Sequence, residues 1–349
     1  MRDRYLDSLR AAAIVRVIVY HTFPVAWLGY AFPAMGVMFG VGGSLMALSL
    51  DRSNGAPDHV LASRLRRLLP AFWALGAVLV PAMLLAGWSD RPHWPKLLLW
   101  LAPLGQPPGT EWALPATEVL WYIVAYLWFV LLSPILLWAY RRWPLRTALI
   151  PLALVFVVGD AGVVTDLATF GACWVVGFAH RDGALRRIST PLLAALAAAC
   201  VTAGVAWVVL FSPGVYDLND IPQAQALYSL GFVLVLLRLS PRLTWRPLER
   251  VVSAVNSRAV TIYLWHNPAI AASFVVGDLI GAWRLGQVGY LLVALGLLLA
   301  PLVLLGWIED VSARRPARLL SWSGPISRRD RRRAAAGDLR SVSGGDRAA

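Results

Sequence analysis

Two side chains on the first apolar stretch of the sequence, Arg10 and His21, have types and a spacing suited to chemistry. They are eleven residues apart, which at 100° per residue comes within about 20° of three full helical turns. Both side chains therefore leave the same face of a predicted helix, about 16 Å apart along its axis. A cation near one end of a membrane helix and an imidazole deep within it would suit a charged substrate that enters at one side and reacts towards the other.

His21 is the candidate proton carrier of the sequence and lies about two-thirds of the way across the first predicted span. A neutral imidazole can take a proton from a hydroxyl group near neutral pH and return it later. The alternative is a packing histidine that is bonded to a neighbouring helix. The spacing from Arg10 favours the catalytic interpretation.

Further arginines are candidates for binding an anion. Arg64 and Arg67 are i, i+3 neighbours at the start of the third predicted span, so they share one helix face. Two guanidinium groups on one face can hold a phosphate, although the ordinary excess of basic residues in cytoplasmic loops also explains them. Arg16 lies within the first span, about 120° from the face of Arg10 and His21. It needs a partner carboxylate, a water-filled cavity or a bound anion.

Two later residues add to the candidate site. Glu118 opens the fourth predicted span and could orient an imidazole or bind a hydroxyl group, or it could be an ordinary carboxylate at a helix N-terminus. His266 lies mid-span, two residues before Pro268, and is either a second active-site imidazole or a side chain bonded to a freed backbone carbonyl. No zinc spacing, nucleotide-binding loop or nucleophile elbow occurs, so we expect no metal.

The elements that must position these residues are membrane helices. The 349 residues are 58% hydrophobic and 15% charged, and the mean hydropathy is +0.63. Apolar stretches of about 20 residues recur along the chain, which is typical of an all-α polytopic membrane protein. Cys173 and Cys200 fall in apolar spans and are interpreted as packing residues. The ten predicted spans are about 8–28, 33–50, 68–88, 118–140, 147–161, 165–180, 191–211, 223–240, 258–276 and 287–308.

The distribution of charge predicts the topology. With the N-terminus in the cytoplasm, all of the 32 Lys and Arg residues except Arg16, Arg91, Lys96 and Arg284 fall in cytoplasmic segments. The net charge of +13 therefore reflects topology, and no nucleic-acid partner is expected. We expect ten helices with both termini cytoplasmic, a membrane domain over residues 1–310, and a basic disordered tail over residues 311–349 that rests on anionic lipid.

The motifs together resemble the acyltransferase 3 family of membrane-bound acyltransferases. Many members of that family have Ser-Gly where this sequence has Gly42-Gly43, and a histidine before the Leu-Trp pair where it has Val119, which leaves the role of Glu118 open. The matching segments are Tyr5–Ala13 with His21 (Arg-x10-His), Val37–Leu45 (aromatic to glycine), Arg64–Arg67 (Arg-x-x-Arg), Leu120–Pro134 (Leu-Trp-aromatic to Ser-Pro) and Tyr263–Pro268 (Tyr-Leu-x-His).

The resemblance implies an O-acyltransferase in the bacterial cytoplasmic membrane. Its donor would be cytoplasmic acyl-CoA, usually acetyl-CoA, used as a co-substrate without a tightly bound cofactor. Its acceptor would be an extracytoplasmic hydroxyl group of a glycan, a glycolipid or a similar molecule, and no fused extracytoplasmic transferase domain is expected. The implied roles are catalysis for His21 and Glu118, acyl-CoA binding for Arg10, Arg64 and Arg67, and support or acceptor contact for Arg16, Trp121, Tyr122, Tyr263 and His266.

Alternatives to this interpretation remain open, among them a non-catalytic membrane sensor or scaffold, which would show no transferase activity and no dependence on His21. His21 could act as a general base for direct transfer, which we favour, or it could carry the acyl group itself as a short-lived intermediate. A multi-span transporter or flippase for a polar envelope precursor is the main competing class, because buried ionisable residues also mark transport paths. Such a protein would not need acyl-CoA.

Overall fold

The computed structural model describes residues 3–53, 55–88, 94–241 and 246–317, and all regular elements within these ranges are helices. Short helical turns connect the longer helices, and several of those helices contain proline. The longer helices are α1 (Arg4–Thr22), α2 (Ala34–Asp51), α3 (Pro57–Leu85), α4 (Trp121–Arg142), α5 (Pro144–Leu154), α6 (Val163–Arg181), α7 (Thr190–Phe211), α8 (Pro222–Leu239), α9 (Arg246–Ser257), α10 (Ala259–Ile280) and α11 (Gly286–Ser312).

Eight helices in the described residues are long and apolar enough to cross a membrane: α2, α3, α4, α6, α7, α8, α10 and α11, some with adjoining turns. Helix α1 has a suitable length but carries Arg4, Asp7, Arg10 and Arg16, and α5 has only 11 residues. Each of the ten predicted spans overlaps one helix of the set formed by these eight helices together with α1 and α5. A membrane-helical protein is therefore confirmed, while the count of ten spans and the cytoplasmic side of both termini stay predictions.

Three predicted helix boundaries are wrong, and one of them is that of α5, which ends at Leu154 and not near residue 161. Helix α1 ends at Thr22 and not near residue 28, because the chain leaves the helix at Phe23 and then meets Pro24. Helix α3 begins at Pro57, well before residue 68, because its polar first turns lower the hydropathy without breaking the helix. The extra turns carry Arg64 and Arg67. Helix α11 ends at Ser312, and residues 318–349 of the predicted tail lie outside the described residues.

Glycines allow α2 and α6 to pack with their backbones in close contact. A Cβ atom added at Gly177 would overlap the carbonyl oxygen of Gly40, and one added at Gly43 would overlap the carbonyl oxygen of Trp174. Small residues permit this close approach between membrane helices, whose association is driven by van der Waals packing and not by the hydrophobic effect. Beside this contact, fully buried Phe39 packs its ring against Phe129, Phe170 and other aromatic rings of α4 and α6.

Helix α10 is fixed to α11 by a buried ion pair. Arg258 Nη2 lies 2.7 Å from Asp310 Oδ2, and the two side chains are 6% and 5% exposed. Near this pair, the carboxyl group of Glu309 accepts a hydrogen bond of 2.7 Å from the backbone N–H of Thr261. These contacts set the position of the start of α10, two turns before His266.

Candidate active site

The first of two cavities, here called the arginine cavity, has a volume of about 480 Å³ and lies among α1, α2, α3, α4 and α10. It brings together the predicted anion-binding residues. Arg66 is absent from its lining, as the i, i+3 spacing of its neighbours predicts. The guanidinium groups of Arg10, Arg52, Arg64, Arg67 and Arg315 line it, against the two carboxyl groups of Asp7 and Glu309.

Contacts with α2 hold one of these guanidinium groups in place. Arg64 Nη2 donates hydrogen bonds to Ser49 Oγ at 2.8 Å and to the Leu45 carbonyl at 3.1 Å. Arg67, one turn further along α3, is exposed within the same cavity wall. Arg64 is thus anchored by hydrogen bonds, whereas Arg67 has none among the described residues. Together the two guanidinium groups are suited to an anion with several oxygens.

The second cavity, here called the histidine cavity, has a volume of about 540 Å³ and contains His21. Its wall is more varied than that of the arginine cavity: it has one guanidinium group, several carboxyl and amide groups, and aromatic rings. Trp121 and Phe170 stack with ring centroids 5.6 Å apart. The polar and aromatic side chains of its lining are Arg16, Tyr20, His21, Glu118, Trp121, Thr165, Asp166, Thr169, Phe170, Asn219, Asp220, Gln225 and Tyr263.

One face of α1 passes through both cavities. Arg10 and Ile14 line the arginine cavity, and Val17 and His21 line the histidine cavity. Positions 10, 14, 17 and 21 lie on one face because their spacings of four, three and four residues follow the helical period. The common face expected for Arg10 and His21 is therefore present, with each of the two residues in a different cavity.

Tyr263 lines both cavities. Its side chain is 5% exposed, and its hydroxyl donates a hydrogen bond of 2.7 Å to the carbonyl of Val119. Its ring centroid lies 4.9 Å from that of Tyr122. The adjacent residues Trp121 and Tyr122 divide between the two cavities, since Trp121 lines the histidine cavity and Tyr122 the arginine cavity.

His266 lies behind the cavity wall, 1% exposed, and lines neither cavity. Its Nδ1 lies 2.5 Å from the backbone carbonyl of Tyr263, and because a carbonyl only accepts, Nδ1 carries the proton. When the ring is neutral, Nε2 bears the lone pair, and this nitrogen has no hydrogen-bond partner among the described residues. Each interpretation of His266 therefore applies to one of its nitrogens. Nδ1 is bonded to a backbone carbonyl, as in a structural histidine, and Nε2 belongs to a ring that lies beside His21 and has no described partner.

Glu118 is an exposed residue of the histidine cavity wall. Its Oε1 accepts a hydrogen bond of 3.3 Å from Asn267 Nδ2. No hydrogen bond joins it to His21 in the part of the chain that is described. The structure therefore places Glu118 in the same cavity as His21 but does not make it the group that orients the imidazole.

The mid-span Arg16 is held by one hydrogen bond and one ring contact. Nε donates to the Leu28 carbonyl at 3.3 Å, and the guanidinium carbon lies 4.6 Å above the centroid of the Tyr20 ring. The hydroxyl of Tyr20 donates in turn to Asp217 Oδ2 at 2.7 Å. Partial burial and the neighbouring Asp217 both raise the pKa of Asp220 in the same loop, because they disfavour its ionised form.

Several lining residues were not predicted. Arg52 and Arg315 follow the ends of α2 and α11, where any basic residue is attributed to topology. The sequence does not show that Gln225 and not Gln223 would line a cavity, because both glutamines lie in the polar first turns of the same helix. Among the described residues, no group of three His, Cys, Asp or Glu side chains could hold a metal ion.

Comparison with known protein families identifies a match over most of the chain. A family model described as an acyltransferase domain, that of the acyltransferase 3 family, matches residues 3–308. The matched range includes every residue of α1 to α10 and the two cavity walls apart from Glu309, Ala313 and Arg315. No curated protein and no solved structure matches the chain.

Proposed function

The chain belongs to the acyltransferase 3 family, and we propose that it transfers an acyl group, in the first instance acetyl, from cytoplasmic acyl-CoA to an extracytoplasmic hydroxyl group. The acceptor would be a glycan, a glycolipid or a similar molecule of the cell envelope. The observation that carries the proposal is the shared position of Tyr263 in the walls of two chemically different cavities. A donor in one cavity and an acceptor in the other would be separated by little more than one side chain.

The arginine cavity is the proposed donor site. Coenzyme A carries several phosphate oxygens, and guanidinium groups bind such oxygens through forked, charge-assisted hydrogen bonds. Arg10, Arg64 and Arg67 would hold these phosphates, with Arg52 and Arg315 as additional cations. The thioester would then extend along α1, past Ile14, towards Tyr263.

His21 is the proposed general base in the histidine cavity. It would take the proton of the acceptor hydroxyl while that oxygen attacks the acyl carbonyl and forms the new ester bond. The bond from the carbonyl carbon to sulfur breaks, and the proton passes from the imidazolium to the departing thiolate of coenzyme A. The polar lining around His21 suits a hydroxyl-bearing acceptor, and we favour direct transfer to it over an acyl-histidine intermediate.

Two further residues have proposed supporting roles. His266 Nε2, the unpartnered lone pair beside His21, would stabilise the imidazolium that forms during proton transfer. Glu118, bonded to Asn267 and exposed in the cavity, would contact the acceptor and not the imidazole. In this orientation the arginine cavity faces the cytoplasm of a bacterial cell and the histidine cavity faces the exterior.

The test is acyl transfer by purified protein in liposomes, with radiolabelled acetyl-CoA as donor and an envelope extract as acceptor. His21→Ala should lower transfer by roughly 100- to 10,000-fold, the usual contribution of general-base catalysis. His59→Ala is the matched control, because His59 is 83% exposed and lines neither cavity. Transfer by His21→Ala at the rate of His59→Ala would reject the assignment.

A transporter or flippase is the second candidate, and the same wall between two cavities is the observation that favours it. Alternating access also uses a thin barrier between two polar compartments. The two functions differ in their need for acyl-CoA. Movement of an envelope precursor across the liposome membrane without acyl-CoA, combined with no labelled product, would support transport and contradict acyl transfer.

A further inference from the structure

Two deeply buried polar side chains of the histidine cavity each leave one atom without a hydrogen-bond partner among the described residues. They are Arg16, 8% exposed, with an unpartnered Nη2, and Gln225, 3% exposed, with an unpartnered Oε1. Buried donors and acceptors are nearly always paired in folded proteins, because an unpaired one loses its bonds to water without replacement. Both side chains line the same cavity, so a molecule bound there would complete their hydrogen bonding.

The unpartnered nitrogen of Arg16 is held in a fixed place. The bond from Nε to the Leu28 carbonyl and the contact with the Tyr20 ring restrain the guanidinium group on two sides. Tyr20 is itself tied to Asp217, in the loop that precedes α8. Because these contacts already restrain the guanidinium group, Arg16 would lose little conformational freedom when it donates to a bound molecule.

Gln225 differs from the other glutamine of the same helix start. Gln223 donates through Nε2 to the Val155 carbonyl at 3.2 Å and does not line the cavity. Gln225 lines the cavity and has no such partner for Oε1. The two residues thus form a natural comparison between a glutamine with a structural bond and one that faces the cavity.

The two atoms have opposite hydrogen-bonding character. Arg16 Nη2 can only donate, and Gln225 Oε1 can only accept, whereas a hydroxyl group does both. We propose that Arg16 and Gln225 are specificity-determining residues that bind the acceptor, Arg16 by donating to one of its oxygens and Gln225 by accepting from one of its hydroxyl groups. This inference rests on the proposed acyl transfer and adds the residues that select the acceptor.

The carboxyl groups of the cavity restrict the charge of that acceptor. Glu118, Asp166 and Asp220 all line it, and none forms an ion pair with a described residue. Asp217 also lies close to the only lining guanidinium, that of Arg16. Any ionised carboxyl group here repels an anion and attracts a cation. The acceptor bound by Arg16 and Gln225 is therefore a neutral or amine-bearing molecule with hydroxyl groups, and not a uronic acid or a phosphorylated sugar.

The experiment uses the full chain in liposomes with radiolabelled acetyl-CoA and three soluble probes of one shape: methyl glucoside, methyl glucosaminide and methyl glucuronoside. Labelled ester on the first two at a rate at least tenfold above the third is expected. Equal or faster labelling of the glucuronoside would overturn the charge argument. Acetyl-CoA turnover without ester on any probe would overturn the inference but not the family function, whereas absence of all turnover would reject the proposed function itself.

Variants separate acceptor binding from a structural role. Gln225→Leu should raise the KM for methyl glucoside about tenfold and leave the KM for acetyl-CoA unchanged, while Gln223→Leu should change neither. Gln225→Glu keeps an accepting oxygen and should retain most of the affinity for methyl glucosaminide. Arg16→Lys tests the donor, and if that variant does not fold, the glutamine pair decides. Equal acceptor KM values for Gln225→Leu and Gln223→Leu would overturn the assignment.

Discussion

The rings of His21 and His266 lie with their centroids 5.2 Å apart and their planes inclined by 58°. The first ring is part of a cavity wall and the second is almost completely buried behind it. The bond from His266 Nδ1 to the Tyr263 carbonyl places the proton of a neutral ring on Nδ1 and leaves the lone pair on Nε2. Nε2 of a neutral His266 ring would thus be a hydrogen-bond acceptor close to the imidazole that lines the histidine cavity.

From this relationship we predict that His266→Gln lowers kcat for acetyl transfer by about tenfold or more and leaves the KM for acetyl-CoA unchanged. Loss of one hydrogen bond to a charged group in the transition state has this size. The measurement is steady-state kinetics beside His21→Ala. A kcat equal to that of the unmodified protein would assign His266 to packing alone.

The two neighbouring arginines of α3 should differ in donor binding. Arg67→Ala removes a cavity-lining guanidinium and should raise the KM for acetyl-CoA about 10- to 100-fold, the effect of losing a charge-assisted hydrogen bond. Arg66→Ala is the control, because Arg66 is exposed and lies outside the cavity lining. Equal KM values for both variants would mean that only the general positive potential matters.

Removal of the hydroxyl group of Tyr263 should uncouple donor consumption from transfer. Tyr263→Phe loses the bond to the Val119 carbonyl and frees the ring that separates the cavities. We expect a higher ratio of coenzyme A released to ester formed, measured by thiol release and labelled product. Tyr126→Phe, on the arginine cavity alone, should keep the original ratio. An unchanged ratio in Tyr263→Phe would contradict a separating role.

The contact between α2 and α6 makes a prediction about stability. Gly177→Ala adds a Cβ that overlaps backbone atoms of Gly40 and Ser44, so we expect destabilisation by about 1–3 kcal/mol or more. Gly296→Ala in α11 adds a Cβ with nothing within 4 Å and should be neutral or stabilising by about 0.5–1 kcal/mol. Thermal unfolding in detergent, followed by tryptophan fluorescence, compares the two. A lower melting temperature for Gly296→Ala than for Gly177→Ala would contradict this packing.

The sequence was sufficient for the approximate positions of the ten hydrophobic helices, because hydrophobic stretches in a membrane protein are long, whereas the polar helix α9 was not predicted. It was also sufficient to group Arg64 with Arg67 on one face of α3 and Arg10 with His21 on one face of α1, since these relationships depend only on the helical period. Boundaries with polar turns, such as the start of α3 at Pro57, were missed because hydropathy does not separate a polar helix from a loop.

Contacts between distant segments could not be predicted in this way. Whether Gln223 or Gln225 faces a cavity depends on the rotation of α8, which is set by the helices packed around it. The presence of Tyr263 in both cavity walls depends on where α10 crosses α4. The bond from Tyr263 to Val119 joins residues 144 positions apart, through a backbone carbonyl that has no sequence signature.

The side chain of Tyr263, as a common wall, has an electrical consequence in the proposed orientation. The hydrocarbon layer of a bilayer is about 30 Å thick, but if water filled both cavities, only a part of that distance would remain insulating. The membrane voltage would fall across this short part, and each elementary charge that crossed it would gain or lose about 2.3 kcal/mol of free energy per 100 mV. In the proposed reaction an acetyl group would cross without charge while the phosphates stayed among the arginines, so acylation of the outer surface would not draw on the membrane potential.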